Sequence, residues 1–533
     1  MRIGLDIGSS SAKAILVDPR GRARRTSRVR FPTRRGRDGR VEHDAAALLR
    51  ATLLALEQAA RELGSREEAA LGIAAQRSTV LFWDRDSGRP VTPAYSWQDL
   101  RAAALCRRLG SRHAALPGAE RDLGRVVAVR TGLRLSAHYA ASKLAWALRH
   151  VPGLRRRVTA GRVLWGTLGT WLAWHLTRGG LYAVDHANAQ RTLLFDLHAL
   201  SWDPFLFDLF GLADLLDVPA LPALVPTRME SGAGVRLAGR RLRLSAMTGD
   251  QQAALLGLLC RRERDMAINY GSGAFVLMQV GRAPVHVGGL LTTLVDSRHL
   301  RPGEAAGPGG CVASFALEGT VNAAATALDW VGRRLGRQIR TADLDHLLGA
   351  YDPAAPRKVH FLPAVSGLGA PRWDEHARPR FSGRLDGASE RDFLRAAVEA
   401  IAQRCAEIAA AAEAYRPKTR GVLGGASAGA VRAAVRVSGG LTRCQYLLQA
   451  QADLLQREVA VTGTRDATAV GAALLAADEG TGRAARLAAG RLVEAIVGPL
   501  SDAARAAALR RAWRRAVYGR AGGGPVGPSR PTR

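Results

Sequence analysis

The chain has 533 residues, 47% of them apolar and 23% charged, so it can build a packed core and is not a disordered polymer. It carries 77 basic against 46 acidic residues, for a net charge of +31, yet only four of the basic residues are lysines. Arginine and alanine are abundant along the whole chain, as in proteins from GC-rich genomes, whereas a nucleic-acid footprint is a concentrated patch; nucleic acid is therefore not the expected partner.

Targeting, membrane and disulfide signals are weak. Asp6 and the early glycines interrupt any signal-peptide core, and no uncharged apolar run reaches about 18 residues, so neither secretion nor a membrane span is expected. The five cysteines stand apart from one another and show no zinc spacing. We therefore expect reduced thiols, a cytoplasmic location and no membrane partner.

The opening "RIGLDIGSSSAKAILVDPRG" contains two short β-rich runs separated by a Gly-Ser-Ser-Ser turn, which predicts a β-hairpin. A second copy, "MAINYGSGAFVLMQVGR" at residues 266–282, opens the second half of the chain in the same way. The length fits three or four units of about 150 residues or two large α/β domains. The duplicated hairpin favours two related domains.

The regions around these hairpins alternate between helical and strand patterns, which indicates an α/β architecture. The apolar spacing predicts a helix that ends at Gly64, after "AAALLRATLLALEQAAREL", and long helices over residues 315–336 and 390–415. The run "AVRVSGG" predicts a strand that enters a glycine turn, and the Gly/Pro-rich residues 519–533 are expected to be disordered.

Phosphate binding is suggested by the two Gly-Ser turns. Every lysine lacks the preceding glycine of a Walker A loop, so a phosphate cradle must be of another kind. Small residues in such a turn let backbone N–H groups approach phosphate oxygens, and Asp6 could hold Mg²⁺ nearby. The alternative is that each turn only closes a hairpin.

Two further residues have both a structural and a functional interpretation. Asp250 precedes the helical run "QQAALLGLL", so it is either an N-cap or a general base exposed to a cleft at a helix start. Arg77 ends a strand-like run, where side chains of open α/β sheets reach ligands, but it could also be one of many surface arginines.

An ordered series of motifs makes the chain resemble the FGGY family of carbohydrate kinases, and within it the glycerol kinases, from Met1 to about Gly482. The motifs are "LDIGSSSAKA", "GIAAQRSTVLFWD", "YSWQDLRA", "RTGLRLSAHYAASKLAWAL", "DHANAQRTLLFDLHALSWD", "TGDQQAALLG", "NYGSGAFVLM", "LEGTVNAAATALDWV", "FLPAVSGLGAPRWDEHAR", "VSGGLTRCQYLLQAQADLL" and "RDATAVGAALLA". Each is weak by itself, but their number and order are specific.

The resemblance implies two RNase H-like domains of the actin/hexokinase type with a central cleft, here residues 1–246 and 247–518. It implies ATP-dependent phosphorylation of a small polyol or sugar, with ATP and Mg²⁺. Asp250 matches the catalytic base. The residues matched to substrate are Gln76, Arg77, Trp97, His138, Tyr139, Asp250, Gln251 and Phe275. Those matched to nucleotide are Gly8, Ser9, Ser10, Lys13, Gly271, Ser272, Gly273, Ala325, Gly439 and Gly440. Those matched to metal are Asp6 and Asp250.

Several positions depart from the family pattern. Ser78 stands where glycerol kinases carry an acidic residue, and His138 stands where they carry a tyrosine that contacts glycerol. Ala325 replaces a usual glycine and Ser438 a usual aspartate, while Pro379 and Arg384 interrupt another segment. Glycerol is the first expectation; a xylulose-type ketose or a longer polyol, and a catalytically degenerate member acting as a sensor, are the alternatives. The oligomeric state, including a homodimer or a higher oligomer, is left open.

Overall fold

The structure is a computed structural model. The residues that it describes are 1–20, 22–36, 38–64, 67–111, 122–300, 304, 308–415, 433–463, 466–476 and 493–519. The predicted disordered tail therefore lies, from residue 520 onward, outside the described residues.

The described elements alternate between strands and helices. The strands are β1 (Arg2–Ile7), β2 (Ser11–Val17), β3 (Ala23–Arg30), β4 (Thr33–Arg35), β5 (Val41–His43), β6 (Glu68–Ala75), β7 (Val80–Asp84), β8 (Ala94–Tyr95), β9 (Val163–Thr167), β10 (Ala183–Asp185), β11 (Phe195–Asp196), β12 (Ser201–Trp202), β13 (Ala223–Val225), β14 (Arg228–Leu237), β15 (Arg240–Gly249), β16 (Met266–Tyr270), β17 (Ala274–Gly281), β18 (Leu291–His299), β19 (Cys311–Val321), β20 (Val359–Leu362), β21 (Arg380–Gly383), β22 (Val435–Gly439), β23 (Val459–Thr462) and β24 (Val493–Val497).

The helices follow the same chain order. They are α1 (Ala45–Ala60), α2 (Ala103–Gly110), α3 (Leu123–Thr131), α4 (Ala140–His150), α5 (Leu154–Thr159), α6 (Leu168–Leu176), α7 (His186–Gln190), α8 (Pro204–Leu209), α9 (Asp250–Gly257), α10 (Ala325–Arg334), α11 (Leu344–Leu348), α12 (Glu390–Glu413), α13 (Gln445–Leu455), α14 (Ala467–Leu475) and α15 (Ala503–Tyr518). Short 3₁₀ turns cover Ala213–Leu215, Pro308–Gly310, Thr341–Asp343 and Gly440–Arg443.

The first half of the chain is built on a six-stranded sheet in the order β14-β15-β6-β1-β2-β3. The predicted hairpin is confirmed, because β1 and β2 pair antiparallel with Asp6 opposite Lys13. On its other side β1 pairs parallel with β6, and β6 pairs parallel with β15, so that Ile7, Ala75 and Gly249 lie side by side. The predicted domain boundary at residue 246 falls within β15.

The two edges of this sheet differ in character. The central strands β1 and β6 are buried on both faces, as parallel strands covered by helices usually are. The edge strand β3 is mostly exposed and carries much of the arginine-rich segment of residues 20–40. Charged side chains along an exposed edge discourage pairing with other chains.

The second half repeats the plan in a seven-stranded sheet, in the order β18-β19-β17-β16-β22-β23-β24. The second predicted hairpin is confirmed as β16 and β17, and β16 pairs parallel with β22, with Tyr270 beside Gly439. In both halves, therefore, the first strand of a hairpin has a parallel strand on its other side. This repeated local topology matches the prediction of two related domains.

Residues 315–336 do not form the single helix that their pattern predicts. Cys311–Val321 is strand β19, which pairs antiparallel with β17 on one side and β18 on the other, and only Ala325–Arg334 is helical. Leucine, alanine and glutamate favour helices weakly, and pairing with two neighbouring strands overrides that preference. Glu318, the central acidic residue of this segment, therefore lies on a buried strand.

The other predicted elements agree more closely with the structure. The helix α12 is confirmed and begins with a capping box between Ser389 and Asp392. The strand before the Gly-Gly turn is confirmed as β22. The first predicted helix ends at Ala60, with Arg61 as its cap, rather than at Gly64. Among the described residues, no helix has the length and apolar character that a membrane crossing requires.

A layer of small residues joins the two halves. The helix α14, near the end of the described chain, packs on α9 and on the face of β1 and β6. A Cβ atom on Gly471 would lie 1.8 Å from the Ala253 carbonyl oxygen, and one on Gly257 would lie 1.9 Å from that of Ala467. Gly4 and Gly72 approach the backbone of α14 equally closely. These contacts exclude any side chain at the glycines.

We predict that Gly471→Ala destabilises the protein by at least about 3 kcal/mol, because the added methyl group meets backbone rather than a side chain that can move. The matched control is Gly234→Ala, whose Cβ has no heavy atom within 4 Å. The measurement is the urea midpoint of both variants. A wild-type midpoint for Gly471→Ala would contradict the packing described here.

Candidate active site

Three predicted site segments meet at the carboxyl edge of the first sheet. Ile7, Ala75 and Gly249 end neighbouring parallel strands, so the residues that follow them lie close together. These residues are Gly8 of the first turn, the Gln76–Arg77 pair and Asp250. Parallel strands of open α/β sheets present ligand-binding residues at this edge.

Asp250 is the first residue of α9, and Gly249 occupies the N-cap position. The Asp250 carboxylate accepts a hydrogen bond from the Gln251 backbone N–H at 2.8 Å, and its side chain is 25% exposed. Burial raises its pKa, while the charge of Arg77 and the Gln251 hydrogen bonds act in the opposite direction. The position combines a helix start with access to the space in front of the sheet, which is what a general base requires.

Arg77 is a buried member of an ion-pair network, with 10% of its side chain exposed, and is not a surface arginine. Its Nε lies 3.3 Å from the Asp250 carboxylate, and its two terminal nitrogens donate to both oxygens of Glu318 at 2.8 and 3.0 Å. Gly249 leaves room for this side chain, since a Cβ there would lie 2.7 Å from its Cδ and Cγ. The guanidinium also lies 5.8 Å from the ring centre of Phe275.

Glu318 is a central site residue that the sequence analysis did not identify. It comes from β19 of the second sheet, and Arg191 and Thr293 donate to its Oε2 at 2.6 and 2.7 Å. Two guanidinium groups hold the pKa of this carboxyl far below its usual range, although burial acts in the opposite direction. The motif "LEGT" contains Glu318. Because residues 315–336 were predicted to be a helix, the sequence analysis did not place this side chain on a strand next to Arg77.

Trp97 connects the predicted substrate pocket to the first Gly-Ser turn. Its indole N–H donates to the Ser9 hydroxyl at 3.1 Å. The ring of His138 lies 6.1 Å from that of Trp97, and His138 Nδ1 donates to the Trp97 carbonyl at 3.1 Å. Tyr139 is buried at the start of α4, and burial raises its pKa.

Lys143 supports the segment that carries His138 and Tyr139. Its buried ammonium donates to the carbonyls of Ala137, His138 and Tyr139 at 3.0, 2.6 and 3.0 Å. Burial lowers its pKa to about 7, while three carbonyl acceptors match the three protons of the cationic form. No pattern in the sequence indicates that this lysine is buried.

The two predicted glutamines are both engaged with protein groups. Gln76 is buried, its Nε2 donates to the Gly8 carbonyl at 3.1 Å, and its Oε1 accepts from Thr79 at 3.1 Å. Gln251 of α9 accepts from Asn269 of β16 at 3.3 Å, which joins the start of α9 to the second sheet. Both side chains therefore hold the walls of the site together.

Ser78, the position that departs from the family pattern, is buried and adopts a left-handed conformation with φ of 64°. A serine rarely adopts such a φ, and residues that do so are concentrated at functional sites. The strain lies directly beside Arg77, in the middle of the predicted substrate pocket.

The first turn is flanked by a charge cluster. Gly8 closes the turn by donating from its N–H to the Ser11 carbonyl at 3.1 Å, across Ser9 and Ser10. Lys13 pairs with Asp466 at 2.6 Å and lies 4.0 Å from Asp6. Asp466 directly precedes α14, and the sequence analysis did not single it out.

Asp6 has too little positive charge around it for a buried carboxyl. Burial raises its pKa to about 7, and the charges of Asp250 and Asp466 add to this effect against Lys13. A cation at this point would stabilise the carboxylate. Mg²⁺ is commonly held by one or two carboxylates together with substrate phosphates. Among the described residues there is no group of three or more His, Cys, Asp or Glu side chains placed to hold a metal alone, and this donor set fits Mg²⁺ bound with a nucleotide.

The predicted nucleotide residues of the second half gather at the carboxyl ends of β16 and β22. Gly271 donates to the Gly273 carbonyl at 2.8 Å, and the Ala324 N–H at the start of α10 donates to the Ser272 carbonyl at 2.8 Å. The Ala325 N–H donates to the Gly271 carbonyl at 3.2 Å, so the residue that departs from the glycine pattern closes the turn.

The Gly-Gly turn lies at the same edge. Gly439 adopts φ of 105°, and a Cβ there would lie 2.0 Å from the Tyr270 carbonyl oxygen, so only glycine fits. Gly440 has open space around it, with no heavy atom within 4 Å of a Cβ placed there. Ser438, just before the turn, donates to Asn269 at 3.4 Å. The second sheet thus offers backbone groups and open space in front of the Asp250 edge.

Comparison with known proteins agrees with this architecture. The model of the N-terminal domain of the FGGY family of carbohydrate kinases matches residues 1–257, and that of its C-terminal domain matches residues 266–478. A glycerol kinase of Thermus brockianus is 38% identical, over 97% of each chain. One of Trichlorobacter lovleyi is 37% identical, also over 97% of each chain.

Solved structures show the same fold at lower identity. A glycerol kinase of Plasmodium falciparum, solved with ADP, has a TM-score of 0.80 at 23% identity and covers 96% of both chains. A xylulose kinase of Rhodospirillum rubrum has a TM-score of 0.75 at 21% identity, over 96% of this chain and 97% of its own. The actin/hexokinase-like α/β fold is therefore shown. With both family domains matched and relatives above one-third identity over nearly the full length, the chain belongs to the FGGY family of carbohydrate kinases.

Proposed function

We propose that this protein transfers the γ-phosphoryl group of ATP to a hydroxyl group of a small polyol, with glycerol as the first candidate. The observation that carries the proposal is the Asp250 carboxylate at the start of α9, which contacts Arg77 and Gln251 and remains 25% exposed. The similarity to glycerol kinases over nearly the whole chain supports glycerol over other alcohols.

In this mechanism Asp250 accepts the proton of the attacking hydroxyl group. Arg77 and Gln251 keep its carboxylate oriented, and Trp97 and Phe275 confine the carbon chain of the substrate. No covalent enzyme intermediate is needed, because phosphoryl transfer depends mainly on positioning and charge neutralisation.

The nucleotide would lie against the second sheet. Backbone groups at Gly271–Gly273 and Gly439–Gly440, with Ala325 beside them, would hold its phosphates and base. Lys13 and the Gly8–Ser10 turn would approach the transferred phosphate from the first sheet. Asp6, together with Asp250, would hold Mg²⁺, which when bound neutralises negative charge on the phosphates. We also propose a cytoplasmic location, which the five free, buried cysteines support.

A second substrate class is favoured by Ser78 and His138. The absence of an acidic side chain next to Arg77 removes a hydroxyl acceptor and makes space. Because Nδ1 of His138 donates to the Trp97 carbonyl, its Nε2 is left to accept a further hydrogen bond. Losing a hydrogen-bond partner for a buried group costs about 1–3 kcal/mol. These changes support a longer polyol or a xylulose-type ketose at the expense of glycerol.

The function is tested by measuring ADP release with glycerol, four- and five-carbon polyols and ketoses as acceptors. We expect turnover with at least one of them that depends on ATP and Mg²⁺. No turnover with any acceptor, in protein that still binds ATP, would favour the degenerate sensor instead.

Asp250→Asn is expected to keep the fold and nucleotide binding and to lower kcat about 10²–10⁴-fold, since an amide cannot accept the proton. The control is Asp203→Asn, another aspartate at a helix start, which caps α8 and lies outside the site. Asparagine also caps helices well, so this control should retain wild-type kcat. An unchanged kcat in Asp250→Asn would remove Asp250 from the mechanism.

Ser78→Glu is expected to shift preference towards glycerol, because it restores a carboxylate beside Arg77. Ser78→Ala is the control, since it keeps the backbone position and removes only the hydroxyl. The measurement is kcat/KM for glycerol and for the best larger acceptor in all three proteins. If the wild type already strongly prefers glycerol and Ser78→Glu weakens that preference, the pocket argument is wrong.

A further inference from the structure

Glu318 occupies an unusual place for a buried carboxylate. It lies on β19, in the interior of the second sheet, and its side chain is 2% exposed. All of its described side-chain partners belong to two groups: Arg77 from the first sheet, and the Arg191–Thr293 pair behind it. The ion pair between Arg77 and Glu318 therefore joins the two halves of the protein at the candidate active site.

The geometry of the Arg77 contact restricts its guanidinium group strongly. Two parallel N–H···O bonds to a carboxylate fix the plane of a guanidinium group as well as its position. Arg191 and Thr293 in turn hold Oε2 of Glu318 from the opposite side. Arg191 also contacts Thr293, so the pair that holds Glu318 is itself braced.

This orientation reaches the catalytic carboxylate. With both terminal nitrogens of Arg77 bound to Glu318, its third nitrogen, Nε, lies 3.3 Å from the Asp250 carboxylate. Gly249 leaves the aliphatic part of Arg77 in contact with the backbone just before Asp250. A change at Glu318 would thus be transmitted to Asp250 through a single side chain.

The carboxylate of Asp296 also joins the two halves and serves as a comparison for a purely structural contact. Asp296, on the neighbouring strand β18, accepts hydrogen bonds from Thr227 and pairs with Arg228 of the first half. Its described partners include none of the residues assigned to substrate, nucleotide or metal. Asp296 and Glu318 therefore share an interface but differ in their connection to the site.

We propose that Glu318 is a positioning residue for phosphoryl transfer: it fixes the guanidinium group of Arg77, and through Arg77 the direction of the Asp250 carboxylate. The inference rests on the proposed kinase activity and deepens it. Glu318 acts through Arg77 and does not take up the proton itself.

The test compares Glu318→Gln with Asp296→Asn, both of which replace an interface carboxylate by its amide. Glu318→Gln should lower kcat on the order of 10²-fold, since small misplacements of catalytic groups have effects of this size. Its KM for ATP should not change, because the nucleotide residues do not contact Glu318. Asp296→Asn should lower the thermal midpoint and keep wild-type kcat. Glu318→Asp retains the charge one methylene further back and should recover part of the lost kcat.

The outcomes separate this inference from the proposed function. Wild-type kcat in Glu318→Gln, or an equal loss of kcat in Asp296→Asn at equal loss of stability, overturns the inference and leaves the proposed function intact. A wild-type enzyme that phosphorylates no acceptor overturns the proposed function and this inference with it. If Glu318→Gln does not fold, Thr293→Val removes one donor to Oε2 at nearly constant volume; it should lower kcat by a smaller factor at unchanged KM for ATP, and an unchanged kcat would overturn the inference.

Discussion

The close approach of α14 to α9, β1 and β6 sets the distance between the two halves of the protein. Four glycines, at positions 4, 72, 257 and 471, let backbone meet backbone where side chains would hold the layers apart. At this separation, charged side chains of the two halves reach each other. The Lys13–Asp466 and Arg77–Glu318 pairs both depend on it. The packing of these glycines thus determines which charged groups of the two halves can form ion pairs.

Electrostatic balance is the second organising feature. The site brings the cations of Lys13, Arg77 and Arg191 together with four carboxylates, at Asp6, Asp250, Glu318 and Asp466. Glu318 is strongly compensated, and its pKa is driven down; Asp6 is poorly compensated, and its pKa is raised to about 7. The same cleft therefore contains one carboxylate that is satisfied by protein groups and another that calls for an added cation. The two carboxyl groups therefore differ in how far the protein itself balances their charge.

Much of this arrangement could be predicted from the sequence. The Gly-Ser turns, the strand that precedes Arg77 and the helix that begins at Asp250 each have a local pattern, and the parallel order of β1, β6 and β15 brings Gly8, Arg77 and Asp250 to one edge. Glu318 could not be found in this way. Alanine and leucine precede it, so the local pattern favours a helix, and only pairing with β17 and β18 turns the segment into a strand. Lys143 and Asp466 were missed for a related reason, because their partners are remote in sequence or are backbone carbonyls that no composition reveals.

The hydrogen bond from the Trp97 indole to Ser9 has a directional consequence. An indole nitrogen can only donate, so the Ser9 oxygen acts as acceptor and its own proton is free to point onward into the turn. Successive hydrogen bonds of this kind polarise one another, and each donor becomes stronger when the one before it is engaged. Trp97 also receives a hydrogen bond at its carbonyl from His138. The indole of Trp97 thereby connects the predicted substrate pocket to the first Gly-Ser turn, so that a shift of this ring alters the donor strength of the serine.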